Sequence, residues 1–128
     1  MKKTFKVIVL IVAIVAILYN CSKQKIKNDF ISTVKDDYFY GVDGSVTIGK
    51  MLDTICSSGK WSYTPKEVNQ YVTYEGTCNG KKLELVFFVY NFGGMSWRVD
   101  RMSYGGRDLP DPDENAGFVL YDEYLRHQ

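Results

Sequence analysis

The sequence predicts an α+β domain: an amphipathic helix packed on an antiparallel meander of three to four strands, a second helix at the C-terminus, and an N-terminal hydrophobic anchor. Three observations predict it. Lys2, Lys3 and Lys6 precede an unbroken apolar run from Val7 to Leu18, Ile48, Met51, Leu52 and Ile55 recur at helical spacing, and Asn79-Gly80 separates two strand-like runs. They divide the chain into an anchor at 1–21, a linker at 22–29 and one small domain at 30–128.

A basic flank followed by an apolar run is the pattern of an export or anchoring signal. As a helix, the run covers roughly 20 Å of a hydrocarbon layer about 30 Å thick. Adding Phe5 and Asn20, with Lys6 reaching back to the headgroups, lengthens it to a thin single-pass anchor. A secretory peptidase wants small residues just before its cut, and those here are bulky or polar. Leu18 and Cys21 resemble the lipobox of bacterial lipoproteins, whose cysteine carries the lipid, although Tyr19 and Asn20 stand where that family has small residues. Three fates are therefore open: an uncleaved anchor in a bacterial inner membrane with a periplasmic domain, which is preferred, a lipid anchor on Cys21, or secretion. Lys23, Lys25 and Lys27 balance the leading lysines, so charge asymmetry does not orient the helix. The short N-terminal flank and the cysteines favour export of the domain.

Sixteen basic residues, less the three leading lysines, leave 13 against 15 acidic ones. This near-neutral balance lacks a nucleic-acid footprint. Aromatic content of 15%, with ten tyrosines, indicates a packed domain rather than a disordered tail.

Residues 22–28 are polar and lysine-rich and suit a membrane-proximal linker. Phe30 to Tyr40 fits either an irregular helix or a strand, and Gly41, Asp43 and Gly44 make a turn. Thr47 is an N-cap for a helix of about three turns, with Gly59 as its stop. Val68 to Cys78 and Lys81 to Phe92 form a hairpin about Asn79-Gly80. A two-residue turn pairs Cys78 with Lys81, Tyr74 with Leu85 and Val72 with Phe87, which places Val72, Tyr74, Leu83, Leu85, Phe87 and Val89 on one core face. The other face carries Tyr71, Thr73 and Glu75 opposite Phe88, Val86 and Glu84. Gly93-Gly94 leads to a strand from Trp97 to Tyr104 whose register is open. An acidic stretch from Asp108 to Asn115 precedes a helix from Ala116 to Arg126 with an apolar stripe of Phe118, Tyr121, Tyr124 and Leu125.

Several residues invite chemistry. Cys56 and Cys78 meet if the helix crosses the sheet, making a disulfide in an oxidising compartment; two buried thiols are the alternative. Glu75 and Glu84 face each other and would suit acid–base work or a cation, or simply be neutralised by Lys82 or Arg101. Asp111, Asp113 and Asn115 alternate like the start of an EF-hand loop, but Ala116 stands where glycine is required and Asp122 where the closing glutamate belongs. They more simply start a helix. His127 is the only histidine and lies next to the chain end, which disfavours histidine triads and multi-histidine metal sites. No phosphate loop or dinucleotide fingerprint is present, so no cofactor or metal is expected. Tyr71, Phe88, Tyr90, Phe92 and Trp97 are placed together on the sheet face away from the Thr47 helix, as an interaction face unless other elements cover it.

Thr47-Ile48-Gly49-Lys50 with the apolar helix after it, Trp61, Tyr74-Glu75-Gly76 and Met102-Ser103 resemble a family of small bacterial exported or membrane-anchored domains. In that family a Thr-Ile-Gly helix start leads to a tryptophan, a strand meander and a closing helix. The likeness spans roughly Val46 to Leu125. It implies a fold and no catalytic residues. The expectation is a membrane-tethered, non-enzymatic envelope module with a protein partner. A bacterial lipoprotein or periplasmic inhibitor is the runner-up, and an envelope hydrolase using Glu75 and Glu84 comes after it.

Overall fold

The computed structural model describes residues 2–128, and side chains from Lys6 onward. Met1, first residue of the expected leader, and the side chains of Lys2 and Lys3 lie outside the described residues. The elements run α1 (Lys2–Lys35), α2 (Ile48–Ile55), β1 (Ser57–Lys66), β2 (Asn69–Cys78), β3 (Lys81–Asn91), β4 (Met95–Tyr104), β5 (Arg107–Asp108) and α3 (Pro112–Arg126). The strands form one antiparallel sheet in sequence order, with the two-residue β5 as a fifth strand at its edge. The architecture is α+β.

At 34 residues, α1 is about 51 Å long. It is long and apolar enough to cross a membrane, and none of its apolar stretch is buried against the domain. Residues 22–29, expected as a linker, continue the helix, and the ambiguous segment after Phe30 is helical as far as Lys35. Val34 at its end is fully buried, so α1 is seated in the core it carries.

The Thr47 cap is present: its hydroxyl accepts from the Lys50 N–H at 3.2 Å. The helix is shorter than expected, however. It ends at Ile55, the chain turns extended at Cys56, and Gly59 lies inside β1. The physical reason is the neighbouring strand: β1 pairs along its length with β2, and Ser58 takes a left-handed φ of 55° in an irregularity between Ser57 and Lys60. Gly59 is required there for space, since a Cβ would come to 2.4 Å from the Tyr74 hydroxyl.

The β2–β3 register is the one deduced from Asn79-Gly80, with Cys78 opposite Lys81, Tyr74 opposite Leu85 and Val72 opposite Phe87. Both turn residues have positive φ, 53° and 75°. The inward face of this hairpin is buried as expected and meets Ile48, Met51, Leu52 and Ile55 of α2 in one core. In β4 the register is offset between Val86 and Phe87, so Arg101 faces Val86 while Val99 faces Phe87. Asp100 is the extra residue.

Helix α3 starts at Pro112, earlier than expected, and buries Ala116, Gly117, Leu120 and Tyr124. Phe118 and Leu125, assigned from sequence to its apolar stripe, are exposed, and Tyr121 is half-buried. Small residues decide that face. A Cβ on Gly117 would sit 2.8 Å from Phe39 Cβ, so the glycine lets the helix approach the segment following α1.

Candidate functional site: the outer face of the sheet

Among the described residues, the helices pack on the inward side of the sheet, where Phe30 of α1 stacks on Tyr63 of β1 at 4.7 Å and Leu120 of α3 joins the core. The opposite side carries side chains in cross-strand rows set by the register. Thr64, Tyr71, Phe88 and Arg98 make one row, Ser62, Thr73, Val86 and Arg101 the next, and Lys60, Glu75, Glu84 and Ser103 the third.

Three aromatic rings run along this face. Tyr71 and Phe88 meet edge to face at 5.6 Å, and Phe88 and Tyr90 stack at 5.9 Å. The Arg98 guanidinium lies over the Phe88 ring at 5.0 Å. Tyr90 is 39% exposed. Strand alternation forces the arrangement: once Val72, Phe87 and Val89 face the core, Tyr71, Phe88 and Tyr90 must face out.

Phe92 lies beyond this group, 92% exposed in the β3–β4 turn. Trp97 is a correction. It pairs with Val89, which places it on the core side, with its ring centroid 5.4 Å from Phe87 and 5.9 Å from Phe39. Its Nε1 donates to Asp37 Oδ2 at 2.8 Å. Its expected place on the outer face had no fixed β4 register behind it.

Glu75 and Glu84 stand opposite each other as deduced. Arg101 pairs with Glu84, and Lys60 lies opposite Glu75 on the neighbouring strand. Opposite charges therefore flank the two carboxylates on an open face.

Cys56 and Cys78 form a disulfide, with Cα atoms 4.2 Å apart, tying the end of α2 to the end of β2. Cys21 is free and exposed on α1. An N-terminal apolar helix together with a bridged domain fits an extracytoplasmic setting.

At the start of α3, Asp111 makes no side-chain cap hydrogen bond, whereas Asp113 and Asn115 have structural partners. Asp111 is the N-cap position with a left-handed φ of 47°, Asp113 Oδ1 accepts from the Val99 N–H at 2.9 Å, and Asn115 donates to the Pro110 carbonyl at 2.9 Å. His127 Nδ1 lies 2.9 Å from the Glu123 carbonyl oxygen. Among the described residues, no group of three His, Cys, Asp or Glu side chains is placed to hold a metal ion.

Sequence reasoning missed a cleft of about 890 Å³ between the Asp37–Gly41 segment, the start of β4 and α3. Tyr38, Phe39, Trp97 and Phe118 line it with Asp37, Asp113 and Glu114. Asp37 is already engaged, since Oδ1 accepts from the Tyr38 N–H at 2.8 Å and Oδ2 from Trp97. The run Asp36-Asp37-Tyr38-Phe39-Tyr40 was its visible signal.

No family model, curated protein or solved structure matches this chain. Function therefore rests on the geometry alone.

Proposed function

We propose that this chain is a membrane-tethered cell-envelope protein whose domain is a non-enzymatic protein-interaction module, with the outer sheet face as its contact surface. One observation carries the reading: the helices pack on one side of the sheet, while Tyr71, Phe88 and Tyr90, capped by Arg98, line the other. Aromatic residues and arginine dominate binding energy at protein interfaces. Four strands at 4.8 Å spacing and about 30 Å long offer roughly 600 Å², close to one partner's share of a standard interface. The apolar α1 and the bridged cysteines support an envelope location, with the domain on the periplasmic side of a bacterial inner membrane. The resemblance to small anchored domains is in keeping with this.

Site-specific photocrosslinking in native membranes tests it. A photoreactive residue in place of Tyr71 or Tyr90 is expected to give the same discrete envelope-protein adduct, while one in place of exposed Lys50 on α2 gives none. Phe88→Ala should abolish the adduct and, through its lost ring contacts, lower the melting temperature by about 5–10 °C while leaving the domain folded. Identical products from all three positions, or none, would refute the assignment.

A further inference from the structure

We infer that the β1–β2 hairpin is a second membrane contact, its tip resting on an anionic phospholipid surface beside the α1 anchor. The inference builds on the reading of α1 as an anchor. A groove of about 640 Å³ is lined by Asn20, Lys23, Ile26 and Lys27 from α1 and by Tyr63 and Pro65 from β1. Stacking of Phe30 on Tyr63 holds the strand against the helix there. Asn20 is two residues beyond Leu18, the last residue of the apolar run. The headgroup layer on each side of a bilayer is about 5–7 Å deep, which a helix rising 1.5 Å per residue crosses in about four or five residues. Asn20 therefore stands in that layer and Lys23 at its outer edge, and Pro65 shares their groove. The hairpin turn begins one residue later.

The tip itself is unusual as a turn. Lys66 pairs with Asn69, leaving Glu67 and Val68 as the two turn residues, places where Gly, Asn and Asp normally serve. Glu67 has a left-handed φ of 59°, and Val68 is 90% exposed. A β-branched apolar residue gains nothing locally from such a place, but it gains from a lipid interface. Charge points the same way. Lys23, Lys25, Lys27 and Lys66 outnumber Asp29 and Glu67 in this corner, and clustered lysines next to a membrane helix favour anionic lipid. Lys23 is drawn to the interfacial Tyr19 ring, its Nζ 4.6 Å from the centroid.

The test uses the full chain with Cys21→Ser, so that one introduced cysteine carries an environment-sensitive fluorophore. Val68→Cys, Leu18→Cys and Arg107→Cys variants are placed in nanodiscs of phosphatidylglycerol or phosphatidylcholine doped with nitroxide lipid. The labels at 68 and 18 are expected to be quenched by the lipid nitroxide and the label at 107 not. Quenching at 68 should weaken in phosphatidylcholine and at about 1 M salt, where the Debye length is about 3 Å. Quenching at 18 without quenching at 68 overturns the inference and leaves the anchor standing. No quenching at 18 overturns the anchor itself. Quenching at 68 that ignores lipid charge and salt overturns the anionic assignment, and a blue shift at 68 without lipid quenching means that a second protein copy covers the tip and also overturns it.

Discussion

Reducing the Cys56–Cys78 bridge should destabilise the domain by an amount that can be worked out beforehand. The bridged residues are 22 apart in sequence. In the chain-entropy model, a loop of that length lowers the entropy of the unfolded chain by about 11 cal/mol/K, or about 3.4 kcal/mol at 25 °C. A domain of roughly 100 residues has an unfolding entropy near 0.21 kcal/mol/K, so the melting temperature should fall by about 16 °C. Trp61 and Trp97 pack against Phe87 in the core, with centroids at 6.2 and 5.4 Å, and report the transition by fluorescence without interference from the helical signal of α1. Thiol counting on the denatured chain provides the internal control: one reactive thiol before reduction, Cys21, and three after it. A melting temperature that moves by less than about 4 °C, under 1 kcal/mol, while the count rises from one to three would refute the reasoning. Three thiols before reduction would remove the bridge itself.

Tyr74 is 1% exposed, and its hydroxyl has no hydrogen-bond partner among the described residues. Tyr74→Phe should therefore raise stability by about 1 kcal/mol, seen as a higher denaturation midpoint; a clear fall would mean that the hydroxyl is satisfied. Burial, reinforced by the Asp53 charge, holds the Tyr74 pKa above the ordinary tyrosine value, so the folded chain keeps a proton that the unfolded chain releases. This carries no penalty below about pH 10, but as pH rises beyond that the unfolded chain gains by ionising and stability declines, a decline that Tyr74→Phe should lessen in alkaline unfolding curves. Gly59→Ala should destabilise by about 1–3 kcal/mol in thermal melts, because its Cβ would sit 2.4 Å from the same hydroxyl. Thr47→Ala removes the hydroxyl that accepts from the Lys50 N–H and should cost about 1 kcal/mol by chemical denaturation, with no effect on photocrosslinking at Tyr71.

The most local signals were the most legible. Asn79-Gly80 fixed a register, and alternation about it sorted the inner face of the hairpin from the outer one correctly. Thr47 marked a helix start for the same reason, since a cap is chemistry within four residues. Strand β1 was hidden because Ser58 is bulged, Gly59 resembles a helix stop and Pro65 breaks the pattern near its end. The alternation of Trp61 and Tyr63, both half-buried on the inner side, was the signal available. Trp97 was placed on the wrong face because a residue's side depends on the bulge at Asp100 and on the length of the preceding turn. The buried face of α3 was misread because Ala116 and Gly117 are chosen for closeness, which hydrophobicity alone does not register. In the proposed contact face, the Tyr71–Phe88 pairing was legible, while the Arg98 cap needed the β4 register.

With α1 as the proposed anchor, its unbroken passage from the apolar stretch into the core at Val34 leaves no hinge between membrane and domain. Residues 19–35 form a mast about 25 Å tall. A flexible tether would let the domain sample a hemisphere of approaches, whereas a mast fixes height and permits chiefly rotation about the bilayer normal. The outer sheet face then sweeps a narrow ring at constant elevation. A partner of the proposed contact face would have to present its epitope at that elevation, and inserting a few glycines near residue 22 would trade this geometric selectivity for reach.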